Sequence, residues 1–168
     1  MTEAKVKDSL VDREGGPLVR MRFRPAWAYI EGIREFGRFF CETTFEEPEL
    51  AERARLIIQE ALENAVKYSI PGPRSELEFS ISSDGKDLEI SVCSTPAPEH
   101  LDMLRRELAT LNASAPEAAY LAAFERASES NDARARLGLA RIRYEGAMNL
   151  SLTEENGGRV RVTARGAL

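Results

Sequence analysis

The sequence contains a single histidine, His100, and only two cysteines, the widely spaced Cys41 and Cys93. A structural zinc site takes four cysteine or histidine ligands, so this composition argues against one. The number and spacing of the cysteines favour buried free thiols over disulfides, as is typical of a cytoplasmic protein. We therefore expect a cytoplasmic chain with no zinc centre.

Long apolar runs and a basic excess are absent as well. No stretch of about 18 apolar residues occurs, so we expect no helix that spans a membrane. The first eleven residues, Met1–Val11, are polar and charged and lack the apolar segment of a signal peptide. The chain has 28 Asp and Glu against 23 Lys and Arg, a formal net charge of −5 at pH 7. Nucleic-acid-binding proteins normally present a basic face, so we expect neither a nucleic-acid nor a membrane partner.

The composition is that of a folded protein. Apolar residues make up 43% of the 168 positions, which is enough for one globular domain with a sizeable core. No internal repeat, low-complexity segment or linker divides the chain. We expect residues 1–168 to form a single domain, with residues 1–16 loosely ordered.

Period-two alternation predicts the strands. Val19, Met21 and Phe23 alternate with arginines and predict a half-buried strand. Further alternation predicts a hairpin over 77–92, turning at Asp84–Gly85, and a final hairpin over 150–162. A weak edge strand is also predicted at 6–11.

Helical spacing predicts the remaining elements. Pro25 fits the first turn of a helix that buries an aromatic-rich face, in which we expect Trp27 to pack in the core. Pro48 opens a long helix that ends before Pro71. Helices are also predicted from Pro98, over 115–128 and over 137–144, with a loop at 130–132. The order strand, two helices, hairpin, three helices, hairpin predicts an α+β two-layer sandwich, a mostly antiparallel mixed sheet with helices on one face.

The long helix carries the most informative polar residues. Glu60 and Asn64 lie four residues apart at the edge of its apolar stripe, so both can face one half-buried site. Asparagine is a poor helix-interior residue, whereas its amide oxygen suits Mg²⁺ and a carboxylate can accept a hydroxyl proton. No nearby cation on the helix pairs with Glu60, so we expect Glu60 to serve chemistry or partner contact. The alternative is an ordinary amphipathic helix with one stray asparagine.

The segment Glu60–Ser69, EALENAVKYS, resembles the N-box of the GHKL ATPase superfamily, which includes histidine kinases and anti-sigma-factor kinases. The resemblance implies a Bergerat-like fold that binds ATP and Mg²⁺. It implies that Asn64 holds the Mg²⁺, that Glu60 is the catalytic base, and that Lys67 and Tyr68 lie near the phosphates and the adenine.

Two further motifs of the superfamily are incomplete in this chain. The segment Cys93–Pro98 lacks the aspartate that reads adenine and the glycines that follow it. The segment Ala135–Arg141 keeps Gly138 and Leu139 of the phosphate loop, but Ala, Arg and Leu occupy the preceding glycine positions. The resemblance therefore implies Gly138 and Leu139 as nucleotide-binding residues, although a Gly-Leu-Ala helix start is more often a packing feature.

Four arginines flank the phosphate-loop position: Arg134, Arg136, Arg141 and Arg143. They can clamp a phosphate, or they can form a solvated helix face paired with nearby glutamates, which is the commoner arrangement. We expect His100, just inside its predicted helix, to be a surface residue.

Residues 88–148 resemble the SiaB-type branch of the superfamily, small bacterial regulators that also lack the adenine aspartate. Those proteins place two helices before the glycine turn, and they include kinases that phosphorylate a small partner protein on threonine. Anti-sigma-factor kinases often pair through their sheets, so the resemblance also implies a homodimer.

The resemblance implies a bacterial signalling regulator in a partner-switching pathway, and it leaves two hypotheses open. In the first, the chain is a Mg-ATP-dependent Ser/Thr protein kinase of a small STAS-domain partner. In the second, it is a non-catalytic module that sequesters a STAS-domain or sigma-factor-like partner without binding or hydrolysing ATP. Glu60 and Asn64 favour the first hypothesis, and the missing aspartate and glycines favour the second.

Overall fold

The computed structural model of the chain describes residues 17–73, 75–128 and 137–168. Its strands are β1 (Val19–Phe23), β2 (Leu77–Ser83), β3 (Asp87–Ser94), β4 (Asn149–Glu154) and β5 (Val160–Ala167). Its α-helices are α1 (Ile30–Phe45), α2 (Pro48–Tyr68), α3 (Pro98–Asn112), α4 (Pro116–Ser128) and α5 (Gly138–Tyr144). The predicted order is confirmed, whereas the predicted strand at 6–11 and loop at 130–132 lie outside the described residues.

The five strands form one sheet in the order β1-β2-β3-β5-β4, and every neighbouring pair is antiparallel. The predicted hairpin between β2 and β3 turns at Asp84, whose Oδ1 accepts hydrogen bonds from the backbone N–H groups of Lys86 and Asp87 at 2.9 and 2.8 Å. Gly85 has φ +84°, which explains why the turn takes a glycine.

One face of the sheet is polar and the other is apolar, because the strand register places polar residues opposite polar ones and apolar residues opposite apolar ones. Across neighbouring strands, Arg22 lies opposite Glu78, Glu78 opposite Cys93 and Cys93 opposite Arg161. The residues that alternate with these are apolar and join the buried core beneath the helices. The predicted α+β sandwich, with helices on one face of an antiparallel sheet, is confirmed.

Helix α2 lies at the centre of the helical layer. Its Ile57, Ile58 and Leu62 have no exposed surface, and the helix packs against α1, α5 and β3. The apolar stripe predicted from its sequence is therefore the face that meets the sheet. Although α2 is 21 residues long, neither it nor another helix in the described parts of the chain is apolar enough, over sufficient length, to cross a membrane.

The aromatic-rich face predicted for α1 is only partly buried, which corrects the expectation for Trp27. A 3₁₀ turn at Trp27–Tyr29 precedes the helix, so Trp27 falls out of the helical register and is 59% exposed. The buried face of α1 contains Ile30, Gly37 and Cys41 instead. A Cβ added to Gly37 would lie 2.2 Å from Cδ1 of Ile58, so a glycine lets α1 approach α2 closely.

Both cysteines are buried and free, as predicted. Burial raises the pKa of the Cys41 thiol to about 12. Cys93 lies on the outer sheet face, where its Sγ accepts a hydrogen bond from Nε of Arg159 and donates one to Glu155. Burial is also the largest influence on Cys93 and raises the pKa of its thiol, so both thiols are protonated at neutral pH.

A buried carboxylate on β2, Glu78, links β2 to β1 and β5 on the outer face of the sheet. It is 4% exposed and accepts hydrogen bonds from Arg22 at 2.8 Å and Arg161 at 2.9 Å. Burial by itself would raise the pKa of Glu78, but the hydrogen bonds from Arg161 and Arg22 outweigh burial and hold the pKa below its ordinary value. The stability that ionised Glu78 contributes is therefore present above the unfolded-state pKa and is lost as the pH falls through the folded-state value.

We expect Glu78→Gln to lower the free energy of unfolding at about pH 7 by roughly 1–3 kcal/mol, because two buried charge-assisted hydrogen bonds are weakened. Urea unfolding of both proteins at about pH 7 and about pH 3 measures the difference. It should shrink at the lower pH, which is closer to the lowered folded-state pKa at which wild-type Glu78 takes up its own proton. An equal difference at both values would contradict the assignment.

Candidate functional site

The predicted site residues in the C-terminal half of α2 line two different hollows. Asn64 and Tyr68, one turn apart, line a cavity between α2, α3 and the sheet. Glu60 instead lines a groove of about 240 Å³ together with Arg55, Gln59 and others. The cavity and the groove share no lining residue, so Glu60 and Asn64 line different hollows as arranged, and their service in one common site stays a prediction.

The cavity is small and mostly apolar. Its volume is about 40 Å³, and Leu139 at the start of α5 closes one side of it. The remaining lining residues come from α2, α3, β3, β5 and the loop after β3: Ala61, Ala65, Val92, Ser94, Pro96, His100, Met103, Leu104, Glu107 and Val162. Of the predicted nucleotide-binding residues, this cavity brings together Asn64, Tyr68 and Leu139.

The loop after β3 is tied to the end of α2. Backbone N–H groups donate from Ile70 to the carbonyl of Thr95 at 2.9 Å and from Ala97 to that of Tyr68 at 3.3 Å. The segment in which the adenine aspartate was expected is therefore adjacent to the residues predicted to bind the nucleotide. The resemblance places both segments at the nucleotide, and these two backbone hydrogen bonds hold the segments together in the structure.

His100 is half-buried rather than on the surface, which corrects the sequence-based expectation. Its ring lies 4.7 Å from the ring of Tyr68, centre to centre. Its Nδ1 is buried and has no hydrogen-bond partner within the described residues. A sequence signal for this was present, because His100, Met103, Leu104 and Glu107 fall at helical spacing on one face of α3.

Lys67 lies outside the cavity. Its side chain is exposed, and its ammonium nitrogen lies 5.4 Å from the centre of the Tyr68 ring, within the range of a cation–π contact. The predicted proximity of Lys67 to phosphates stays a prediction.

Glu60 has a partner that its own helix did not reveal. Its side chain is 11% exposed and forms an ion pair with Nη1 of Arg141 on α5. The Nε of Arg141 also donates to Glu145 at 2.9 Å. Burial raises the pKa of Glu60 above the ordinary value for a glutamate, and the charge of Arg141 offsets only part of that rise. Glu60 is therefore a desolvated carboxylate held by α5, not an unpaired one.

Gly138 has a packing role in this arrangement. A Cβ added to it would lie 2.7 Å from Oε2 of Glu60, so the glycine lets the backbone of α5 approach that carboxylate. The first turn of α5 is buried, with Leu139 2% exposed. Gly138 and Glu60 are thus neighbours across the contact between α2 and α5.

The arginines near Gly138 are paired where the structure describes them. Arg141 bonds to Glu60 and Glu145, and Arg143 donates to the backbone carbonyls of Leu111 and Ser114 at the end of α3. The alternative of arginines paired with nearby glutamates therefore holds for Arg141. Arg134 and Arg136 lie outside the described residues.

Comparison with known proteins identifies the fold. No model of a known protein family matches the chain, and no curated protein matches it. Among solved structures, it is similar to a chain of the crystal structure of the SiaB–SiaC complex from Pseudomonas aeruginosa. The TM-score is 0.70 at 18% sequence identity, and the match covers 100% of this chain and 99% of the other. The chain therefore shares the fold of that matched chain over its whole length, while membership of the GHKL superfamily stays a prediction.

We expect Gly138→Ala to lower the free energy of unfolding by roughly 1 kcal/mol, because the new methyl group displaces the Glu60 carboxylate from its ion pair with Arg141. Adding Glu60→Ala removes that carboxylate and should recover part of the loss. A double-mutant cycle from urea unfolding measures the coupling. Additive effects of the two substitutions would show that Gly138 is kept for another reason.

Proposed function

We propose that this chain is a signalling regulator that acts by binding a small protein partner. The observation that carries the proposal is the full-length likeness of its fold to a chain that was crystallised in a complex of two proteins. Because the match covers both chains from end to end, the elements that bind a partner in that fold can have counterparts in this chain. Partner switching, in which one protein is captured and released in exchange for another, is the activity that we assign.

The partner that we propose is a small STAS-type protein, with a sigma-factor-like protein as the alternative. The basis is the resemblance of Glu60–Ser69 and of residues 88–148 to regulators that act on such proteins. The net charge of −5 favours a protein partner over a nucleic acid.

The arrangement of the cavity favours partner binding without ATP. Ligand pockets typically measure about 300–1,000 Å³, whereas this cavity measures about 40 Å³. The contact between Tyr68 and His100 narrows it, and the amide of Asn64 is the sole group there that the resemblance assigns to Mg²⁺. As arranged, these residues do not fit a nucleotide with its metal ion, so we derive no catalytic step through ATP.

A protein kinase is the second candidate, and Glu60 is the observation that favours it. A carboxylate with a raised pKa is a stronger proton acceptor than an ordinary glutamate, and Glu60 lines a groove that a partner can reach from solvent. In that function, Glu60 would accept the proton of a serine or threonine hydroxyl once Arg141 releases it.

We expect ATP to bind weakly at best, with or without Mg²⁺. Each missing partner of a buried polar group typically costs about ten- to a hundredfold in affinity. Isothermal titration calorimetry of wild type and Asn64→Ala measures this. Micromolar or tighter binding that Asn64→Ala abolishes, with thermal stability unchanged, would favour the kinase. A loss of stability without a change in nucleotide binding would assign Asn64 a structural role.

Glu60→Gln separates the two functions, because glutamine keeps the shape of the side chain and removes the base. Wild type, Glu60→Gln and the control Glu63→Gln, one turn along α2, are each incubated with Mg-ATP and candidate STAS-type partners. Binding and phosphate transfer are measured separately. We expect all three to bind the partner and none to transfer phosphate.

Transfer by wild type and Glu63→Gln but not by Glu60→Gln would establish the kinase with Glu60 as its base. Failure of every tested STAS-type partner to bind would contradict the proposed partner class.

A further inference from the structure

Helix α1 and the 3₁₀ turn before it carry an exposed stripe that the proposed function does not use. Its residues are Tyr29, Gly32, Phe36, Phe39 and Thr43, and we call these five residues the α1 seam. All five are exposed, and they follow one another at spacings of three, four, three and four. This is the repeat by which one helix packs along another.

The aromatic residues of the seam are unusually exposed for their size. Tyr29 is 51% exposed, Phe36 39% and Phe39 61%. Within the described residues, Tyr29 makes only an edge contact with the ring of Phe23, and Phe36 stacks on Phe40. Contiguous apolar surface of this kind on a folded protein is typical of an interaction site, and large aromatic side chains often dominate its binding energy.

Gly32 is a second and independent observation. A glycine inside a helix costs about 1 kcal/mol relative to alanine, so it needs a compensating contact. A Cβ added to Gly32 would have no heavy atom within 4 Å, whereas one added to Gly37 on the same helix would collide with Ile58. The packing of the described residues therefore explains Gly37 and not Gly32. The close approach of another molecule would supply the contact that Gly32 lacks.

The charges at the two ends of the seam are opposite in sign. Arg24 precedes the helix, and Glu46 and Glu47 follow its last residue. Within the described residues, the side chain of Arg24 forms no hydrogen bond or ion pair, a property that it shares with Arg106 and Arg126. The side chains of Glu46 and Glu47 likewise form no ion pair with the described residues.

We propose that two copies of this chain associate through the α1 seam, with their α1 helices antiparallel about a two-fold axis. In that register Phe36 meets Phe36 of the second copy on the axis, and Gly32 meets Phe39 of the second copy. A small residue then lies opposite a large one on each side. Arg24 at one end approaches Glu47 of the second copy at the other.

These features select a second copy over an unrelated partner, because the seam is complementary to itself. An antiparallel copy of the same helix supplies both an aromatic ring opposite Gly32 and an acidic group near Arg24, each from the same set of residues. The outer face of the sheet is a weaker candidate for the interface between two copies, because its buried polar groups are already paired. Its Glu78 is already bonded to Arg22 and Arg161, and its buried Ser80 and Ser91 bond to each other at 2.8 Å.

Sedimentation of the full chain tests the proposal. We expect wild type to sediment as a dimer and Phe39→Glu to raise the dimer dissociation constant at least about 100-fold. An aromatic hot spot typically contributes roughly 30-fold or more, and the substitution is present in both copies. Phe124→Glu is the matched control, since Phe124 on α4 is 55% exposed and lies outside the seam. Circular dichroism verifies that both variants fold.

A wild type that is monomeric at high micromolar concentration would overturn the proposal, as would a dimer that survives Phe39→Glu. Dissociation by Phe124→Glu but not by Phe39→Glu would locate the interface on α4 instead. Neither result depends on whether a STAS-type partner binds.

The antiparallel arrangement is tested separately by changing the charged residues at the two ends of the α1 seam. Arg24→Glu should weaken the dimer about two- to tenfold, because two ion pairs across the interface become repulsive. The double variant Arg24→Glu/Glu47→Arg exchanges the charges within one chain and should restore wild-type affinity. A double variant that is no tighter than Arg24→Glu would overturn the antiparallel arrangement.

Discussion

The burial of Ile57, Ile58 and Leu62 on helix α2 joins the two layers of this structure, and the other elements take their positions from it. None of the three side chains retains exposed surface. Fully burying one such side chain contributes about 1.5–3 kcal/mol, a large share of the net stability of a domain. The glycines around α2 serve the same contact. Gly37 admits the end of Ile58, and a Cβ on Gly146 would lie 2.9 Å from Cγ1 of Ile57.

The candidate site inherits its geometry from this burial. Because the apolar stripe of α2 faces the sheet, the polar residues at its edge lie where neighbouring elements contact them. Asn64 reaches the small cavity beside α3, and Glu60 reaches α5. The ion pair between Glu60 and Arg141 and the close approach of Gly138 then couple α5 to α2. A change at Arg141 would therefore act on both helices at once.

Arginine side chains pair with acidic side chains and with backbone carbonyls in several parts of the structure. Arg22 and Arg161 enclose Glu78 on the outer sheet face, and Arg143 binds the carbonyls at the end of α3. The exposed apolar surface is concentrated elsewhere, on α1 and α4. The polar side chains of the outer sheet face are thus paired with one another, while α1 exposes aromatic surface that another chain can contact.

The sequence by itself determined the order of elements, the hairpin at Asp84–Gly85, the alternation of β1 and the span of α2, since each depends on residues close in the chain. The faces of the long helix were equally readable, because apolar periodicity reports which side is buried. Contacts between distant elements were not. The pairing of Glu60 with Arg141 joins residues 81 positions apart, and no local pattern encodes it. Trp27 was predicted to be buried because a continuous helix was assumed, yet a 3₁₀ turn removed it from the register. Which hollow Glu60 and Asn64 each line was likewise decided by tertiary packing, because Arg141 of α5 pairs with Glu60 whereas α3 and the sheet enclose the cavity at Asn64.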